Sequence, residues 1–180
     1  VICYADDFVI LSRGHAAEAL AWTKAVMTKL GLTLNEAKTS LRDARKERFD
    51  FLGYTLGPRH LPNGGRWYLG ASPSKKSVRR IKTKVGELLT PGNKGAWPEV
   101  RTRLNRLLGG WSAYFSYGAL ASAYEAVDQH VYDRARNFLR KRHKVQGRGT
   151  DQFSREHVYG ELAVRCLRRE RGRSPPWASR

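Results

Sequence analysis

The spacing of apolar residues changes along the chain, near residue 70. Before that point they come mostly in short runs rich in β-branched and aromatic side chains, a composition that favours strands. The first two runs, residues 1–4 and 8–11, flank two adjacent carboxylates, which predicts an opening β-hairpin with an acidic turn. Between residues 16 and 30 the spacing is helical, which predicts one helix packed along a single face and ended by Gly31.

Further extended segments are predicted before the change in spacing. Residues 32–34 are a short strand candidate. Residues 49–54 and 67–69 favour the two strands of a second hairpin, and Pro62-Asn63-Gly64-Gly65 supplies turn residues between them. Gly53 lies inside the first of these runs, where it permits a bulge or a close approach of another backbone.

Three amphipathic segments follow, at residues 75–89, 97–115 and 120–139. Ser72 or Ser74 can cap the first of them. Because each segment has one apolar stripe and the links are short, they predict a three-helix bundle. The chain is therefore expected to be α+β, with small hairpins and a helix first and a basic helical bundle after them.

The middle segment and the region after the bundle leave structural questions open. Gly109 and Gly110 each cost roughly 1 kcal/mol in a helix relative to alanine. Close approach of another helix would offset this cost, and a kink is equally allowed. Residues 146–150 predict a flexible link, and residues 158–166 favour one more short helix before an arginine-rich, extended end.

The net charge of +18 is distributed unevenly. Residues 1–70 contain ten Lys/Arg and seven Asp/Glu, a net of +3, whereas residues 71–180 contain 24 and nine, a net of +15. A surface that is charged only for solubility would mix both signs, so the second part predicts a polyanionic partner. Nucleic acid is favoured over an anionic membrane because the sequence has no long apolar span.

Two cysteines, Cys3 and Cys166, are far apart and belong to no metal-binding motif. They favour reduced thiols and an intracellular, cytoplasmic location. The charge distribution adds the expectation that the protein is associated with nucleic acid. The chain begins at Val1 inside a predicted strand, which suggests a piece of a longer protein.

Asp6 and Asp7 are candidate metal ligands. Adjacent carboxylates repel each other and are costly to desolvate unless a cation neutralises them, and Mg²⁺ prefers carboxylate oxygens. The alternative is a solvated turn, in which aspartate is simply a good turn former. The acidic pair by itself does not decide between the two.

Several blocks, in the expected order, resemble the reverse transcriptases encoded by group II introns. Tyr4-Ala5-Asp6-Asp7 resembles their catalytic turn. The other blocks that carry the resemblance are residues 31–39, residues 49–54, residues 73–76, and Gly110-Trp111 with Tyr114-Phe115. The last of these resembles the core of the family's maturase-specific thumb segment, domain X. The resemblance covers roughly residues 1–143.

The resemblance implies three parts. Residues 1–70 would be the C-terminal part of a polymerase palm, residues 71–145 a basic three-helix thumb, and residues 146–180 a basic helical or extended tail. A third metal-binding carboxylate of the family comes from a strand that would precede Val1. The fragment alone is therefore expected to polymerise little, and its parent to be an RNA-directed DNA polymerase.

The resemblance also implies site residues in the first part. Asp6 and Asp7 would bind Mg²⁺, with two ions in the intact polymerase, and Lys38 would contact or protonate the leaving phosphate. A primer grip, which holds the 3′ end of the primer, would consist of Phe51, Leu52, Gly53 and Tyr54.

The basic faces of the helical part would line a groove for phosphates. The candidate RNA-binding residues are Lys75, Lys76, Arg79, Arg80, Lys82, Arg101, Arg106, Arg140, Lys141 and Arg142. The implied partners are group II intron RNA and an RNA template with a DNA primer, and no membrane. The alternative is a stand-alone RNA-binding maturase-type module, or a truncated copy, without polymerase activity.

Overall fold

The computed structural model describes residues 1–60 and 65–170. Its helices and strands are, in chain order, β1 (Ile2–Tyr4), β2 (Asp7–Val9), α1 (Ala16–Lys29), β3 (Phe49–Phe51), β4 (Tyr54–His60), β5 (Trp67–Pro73), α2 (Lys75–Leu88), α3 (Trp97–Tyr114), α4 (Ala121–Arg142), a π-helical turn (His157–Glu161) and α5 (Leu167–Glu170). This mixture of helices and small sheets agrees with the predicted α+β class. Across the described residues, no helix is both long enough and apolar enough to cross a membrane.

The chain divides into two compact units. The first unit comprises Val1–Phe51 and Leu56–Leu69, and the second comprises Leu52–Thr55 and the chain from Gly70 onward. The boundary therefore falls within strands β4 and β5, close to the change in hydrophobic spacing.

The first unit opens with the predicted hairpin. Strands β1 and β2 are antiparallel and pair Ile2 with Val9 and Tyr4 with Asp7. Ala5, in the turn between them, has φ +51°. A positive φ is strained for alanine, but it suits the tight turns that follow the twist of a β-hairpin.

Helix α1 ends as predicted, but the strand expected at residues 32–34 is absent. Gly31 has φ +70°, and its N–H donates to the carbonyl of Thr28 while Leu32 N–H donates to Met27. This pattern of two bonds is a Schellman motif. It uses the N–H of Leu32, and the chain then turns again at Asn35, whose carbonyl accepts the N–H of Lys38. The strand prediction is therefore wrong because helix termination occupies the same residues.

Strands β3, β4 and β5 form a three-stranded sheet in that order. The run predicted as one strand, residues 49–54, is instead the end of β3, a two-residue turn and the start of β4. Leu52 and Gly53 make that turn with φ values of +49° and +77°, the signs that a type I′ turn requires. The turn predicted at Pro62-Asn63-Gly64-Gly65 lies almost wholly outside the described residues.

The three helices of the second unit form where the spacing predicts them. Ser74 caps α2, and its hydroxyl accepts the N–H of Ser77 at 3.2 Å. The fully buried side chains of the bundle come from all three helices and are Ile81, Val85, Leu89, Val100, Leu104, Leu108, Val127, Val131, Ala135 and Leu139. Helix α3 continues through Gly109, and the group nearest to the position of an added Cβ there is the Arg165 guanidinium rather than another helix.

The residues that follow the bundle pack onto it. Phe153, Val158, Val164 and Leu167 are buried in the same core as α2, α3 and α4. The single helix predicted at residues 158–166 is instead a π-helical turn followed, after five residues, by the start of α5.

Candidate nucleic-acid interface

A groove of about 400 Å³ lies between α2, α4 and the end of β5. Three of its lining residues are cations and two are serines. The others have small or aliphatic side chains. The lining residues are Ser72, Pro73, Lys75, Val78, Arg79, Lys82, Ser122, Ala123 and Ala126. We refer to it as the α2–α4 groove.

Helical geometry brings the three cations of the groove together. Lys75, Arg79 and Lys82 are spaced i, i+4 and i+7, so they follow one flank of α2 over roughly 10 Å. The adjacent face of α2 carries Ile81 and Val85, which are buried. The cations therefore lie beside the core-facing side of the helix, next to α4.

Other cations of α2 lie on a different flank. Lys76 and Arg80 are exposed and do not line the groove. Each is displaced around the helix by roughly 100° from its neighbour Lys75 or Arg79. The structure thus separates the predicted cations of α2 into two groups.

The start of α4 adds polar groups that can bind an anion. Helix α4 begins at Ala121, its N-cap residue is Leu120, and no side chain caps it. The unpaired N–H groups of a first helical turn carry a partial positive charge and favour anions. Ser122, which lies in this turn, lines the groove.

Two cross-links hold the walls of the groove. His130 Nε2–H donates to the carbonyl of Lys82 at 3.0 Å, and Arg134 donates to the carbonyl of Gly86 at 2.9 Å. Burial lowers the pKa of His130 below its usual value of 6.5, and the positive charges of Lys82 and Arg134 add to that shift. The neutral ring therefore makes this contact at physiological pH.

The predicted cations at the end of α4 make contacts within the protein. Arg140 Nη1 donates to the carbonyl of Gly147 at 2.9 Å. Arg142 Nη1 donates to the carbonyl of Gly95 at 2.6 Å, and its guanidinium also lies over the ring of Phe138. Both arginines therefore hold neighbouring loops. Lys141, Arg101 and Arg106 do not line the groove either.

The turn at Leu52-Gly53, in the predicted primer grip, is attached to two helix ends. The carbonyl of Gly53 accepts Ser74 N–H at 2.8 Å and the Ser77 hydroxyl at 2.9 Å. The carbonyl of Leu52 accepts the hydroxyl of Tyr114 at 2.9 Å. The start of α2 and the end of α3 therefore fix the position of this turn.

Aromatic packing supports the same attachment. The ring of Tyr54 lies 4.9 Å from that of Phe115, and the Tyr54 hydroxyl donates to the carbonyl of Tyr114 at 2.9 Å. Burial raises the pKa of Tyr54, so its hydroxyl stays protonated. Phe51, the remaining residue of the predicted grip, is half-buried and belongs to the first unit.

The candidate catalytic residues all belong to the first unit. Asp6 and Asp7 are exposed at the β1–β2 turn, and Lys38 is exposed in the turn that starts at Asn35. Two adjacent carboxylates can supply part of the shell of one Mg²⁺ ion, which commonly keeps several waters. In the described parts of the chain, no set of three or more Asp, Glu, His or Cys side chains could hold a metal. These residues fit a single, partly hydrated ion and not a complete two-metal centre.

Sequence reasoning missed the residues that build the groove opposite the cations. Ser122, His130 and Arg134 lie on the polar side of a segment whose apolar stripe was recognised. Their spacing shows that they face away from the core, but not that α2 lies beside them. The sequence identifies Tyr114 only as part of a family motif and gives no sign of its bond to Leu52.

Part of the second unit matches a known protein family. Residues 78–158 match the family described as the group II intron, maturase-specific domain. No curated protein matches the chain. The matched residues include Arg79, Lys82 and Ser122 of the groove, and the resemblance to group II intron maturases that the sequence suggested is confirmed.

Proposed function

We propose that the second unit is an RNA-binding module of a group II intron maturase, and that it binds intron RNA in the α2–α4 groove. The observation that carries this proposal is the meeting of three cations, two hydroxyls and an uncapped helix start in one groove. Most of that groove lies within the residues that match the maturase-specific domain.

The chemistry of the groove suits the backbone of RNA rather than its bases. Lysine and arginine side chains give affinity for phosphates without reading sequence. The lining contains no aromatic ring on which a base would stack. The expected ligand is therefore a structured RNA recognised by its shape and phosphates, as double-stranded and folded RNA commonly is. Binding of this kind would stabilise the folded intron and so assist splicing.

The proposal is tested by the binding of the full chain to a folded group II intron RNA at fixed salt. One variant replaces the groove cations (Lys75→Gln, Arg79→Gln, Lys82→Gln). A matched variant removes the same charge from the other flank of α2 (Lys76→Gln, Arg80→Gln, Lys84→Gln). We expect the first to weaken binding by about ten- to a hundredfold and the second by less than about threefold. Equal losses in both variants would show that the groove is not the site.

A polymerase role for the first unit is a second candidate. It is supported by the resemblance of residues 4–7 to a catalytic turn and by the hairpin that presents them. In this role Asp6 and Asp7 would bind Mg²⁺, Lys38 would act on the leaving phosphate, and residues 51–54 would hold the primer on an RNA template. The hairpin supplies two carboxylates, those of Asp6 and Asp7, whereas polymerase chemistry uses two metal ions. In the described parts of the chain, no cluster of three or more Asp, Glu, His or Cys side chains could hold a metal ion.

Metal binding by the hairpin can be measured without polymerase activity. Mn²⁺, used in place of Mg²⁺, should broaden the amide resonances of residues 4–9 in the wild-type chain and not in an Asp6→Asn, Asp7→Asn variant. In primer extension with Mg²⁺ the chain alone should make little cDNA. Robust synthesis that Asp6→Ala abolishes would show that this chain already holds a working catalytic centre.

A further inference from the structure

We propose that the α2–α4 groove distinguishes ribose from deoxyribose, so that the strand it binds is RNA and not DNA. This inference rests on the proposed function and names the feature of the strand that the groove recognises. The observation behind it is the presence of two serines, Ser72 and Ser122, in the lining of a groove whose charged residues are all cations.

The cations fix where the phosphates lie. Lys75, Arg79 and Lys82 are separated along the axis of α2 by roughly 6 Å and 4.5 Å. A row of this kind contacts consecutive phosphates of one strand. The strand then runs along α2, and its sugars face the remaining lining of the groove.

That remaining lining suits a sugar. Pro73, Val78, Ala123 and Ala126 are small or aliphatic and present no hydrogen-bonding side chain. A ribose packs against such a surface through its carbon atoms, while its hydroxyl needs a polar partner. The side-chain groups that can provide one on these walls are the two serine hydroxyls.

Both hydroxyls are available for such a bond. Ser122 is exposed and Ser72 half-buried. Within the described part of the chain neither side chain forms a hydrogen bond, in contrast to Ser74 and Ser77, which bond to each other. A serine hydroxyl is both donor and acceptor, and so is the 2′-hydroxyl of RNA. Deoxyribose would cover the serines without pairing with them, so DNA should bind about three- to tenfold more weakly for each hydroxyl engaged.

The experiment compares the full chain binding to oligo(U) and to oligo(dU) of equal length, which removes differences in helical shape. Wild type should prefer oligo(U) by roughly tenfold. The Ser72→Ala, Ser122→Ala variant should lose most of that preference while its affinity for oligo(dU) is retained. Ser116→Ala, an exposed serine outside the groove, serves as the control and should keep the preference. Thermal unfolding checks that every variant folds.

The outcomes separate this inference from the proposed function. If the serine variant keeps the full preference while the triple cation variant loses affinity for both strands, ribose recognition is wrong and binding in the groove stands. If the triple cation variant binds folded intron RNA as wild type does, the groove is not the site and both proposals fail.

Discussion

The carboxylate of Asp128, on α4, accepts the backbone N–H of Leu167 at 2.9 Å. It also accepts Arg168 N–H at 3.0 Å and the Cys166 thiol at 3.4 Å, and the residue is only 2% exposed. A buried carboxylate is costly unless donors surround it, and here the donors come from a segment about 40 positions away. Asp128 therefore ties the region after the bundle to the middle of α4.

Replacing Asp128 should destabilise the second unit. Asp128→Asn keeps the shape but turns one acceptor into a donor that faces N–H groups, so at least one buried donor loses its partner. We expect the free energy of unfolding to fall by about 1–3 kcal/mol in urea titrations. Asp133→Asn, which loses a half-exposed ion pair with Arg136, should cost less than about 1 kcal/mol. Similar losses in the two variants would show that the buried bonds contribute little.

His130 should make the stability of the second unit depend on pH. Its pKa is lowered in the folded protein, mainly by burial, so the unfolded chain binds more protons between that lowered pKa and the usual value of 6.5. The contribution of His130 is therefore complete above pH 6.5 and is lost as the pH falls through the folded pKa.

The pH dependence is measured by urea unfolding at several pH values below 7. His130→Gln keeps a side-chain donor that can reach the Lys82 carbonyl but cannot titrate, so the variant should lose less stability on acidification. The titration of Asp128 acts in the opposite direction. Burial raises the pKa of Asp128, so the stability that its titration contributes is present at low pH and is lost as the pH rises through the pKa of the folded state. Identical pH profiles for wild type and His130→Gln would contradict the role given to the histidine.

Gly53 should tolerate no side chain. Its φ is +77°, and an added Cβ would lie 2.9 Å from Ser77 Oγ and 3.2 Å from the ring of Phe115. Gly147, in the same unit, has φ +69° but nothing within 4 Å of an added Cβ. Gly147→Ala should therefore cost about 1–2 kcal/mol for the backbone conformation alone, and Gly53→Ala should cost more because α2 and α3 must also move. Equal values in urea unfolding would mean that the turn is loosely attached.

The local elements could be read from the sequence because their causes are local. The apolar spacing of residues 75–89 predicts α2, Ser74 supplies its cap, and Gly31 provides the positive φ at the end of α1. The strand predicted at residues 32–34 is wrong because strand propensity is weak beside the hydrogen bonds of a Schellman motif. The sequence does not predict the I′ turn at Leu52-Gly53 because leucine rarely adopts a positive φ.

The groove could be predicted only in part. The charge of α2 was visible, but spacing alone cannot say which flank lies next to α4 and which lies away from it. The partners of Lys82 and Gly86, His130 and Arg134, are 48 positions further along the chain. Pairing over such distances is decided by the packing of the whole core, which no local pattern describes.

The salt dependence of RNA binding tests the central claim most directly. The logarithm of the affinity for folded intron RNA should fall linearly with the logarithm of the salt concentration, and each phosphate contact adds about 0.7–0.9 to the slope. The triple substitution of Lys75, Arg79 and Lys82 should reduce the slope by about 2 to 3, while the triple substitution on the other flank of α2 leaves it nearly unchanged. A slope that is unaltered by loss of the groove cations, or lowered equally by both variants, would contradict the account.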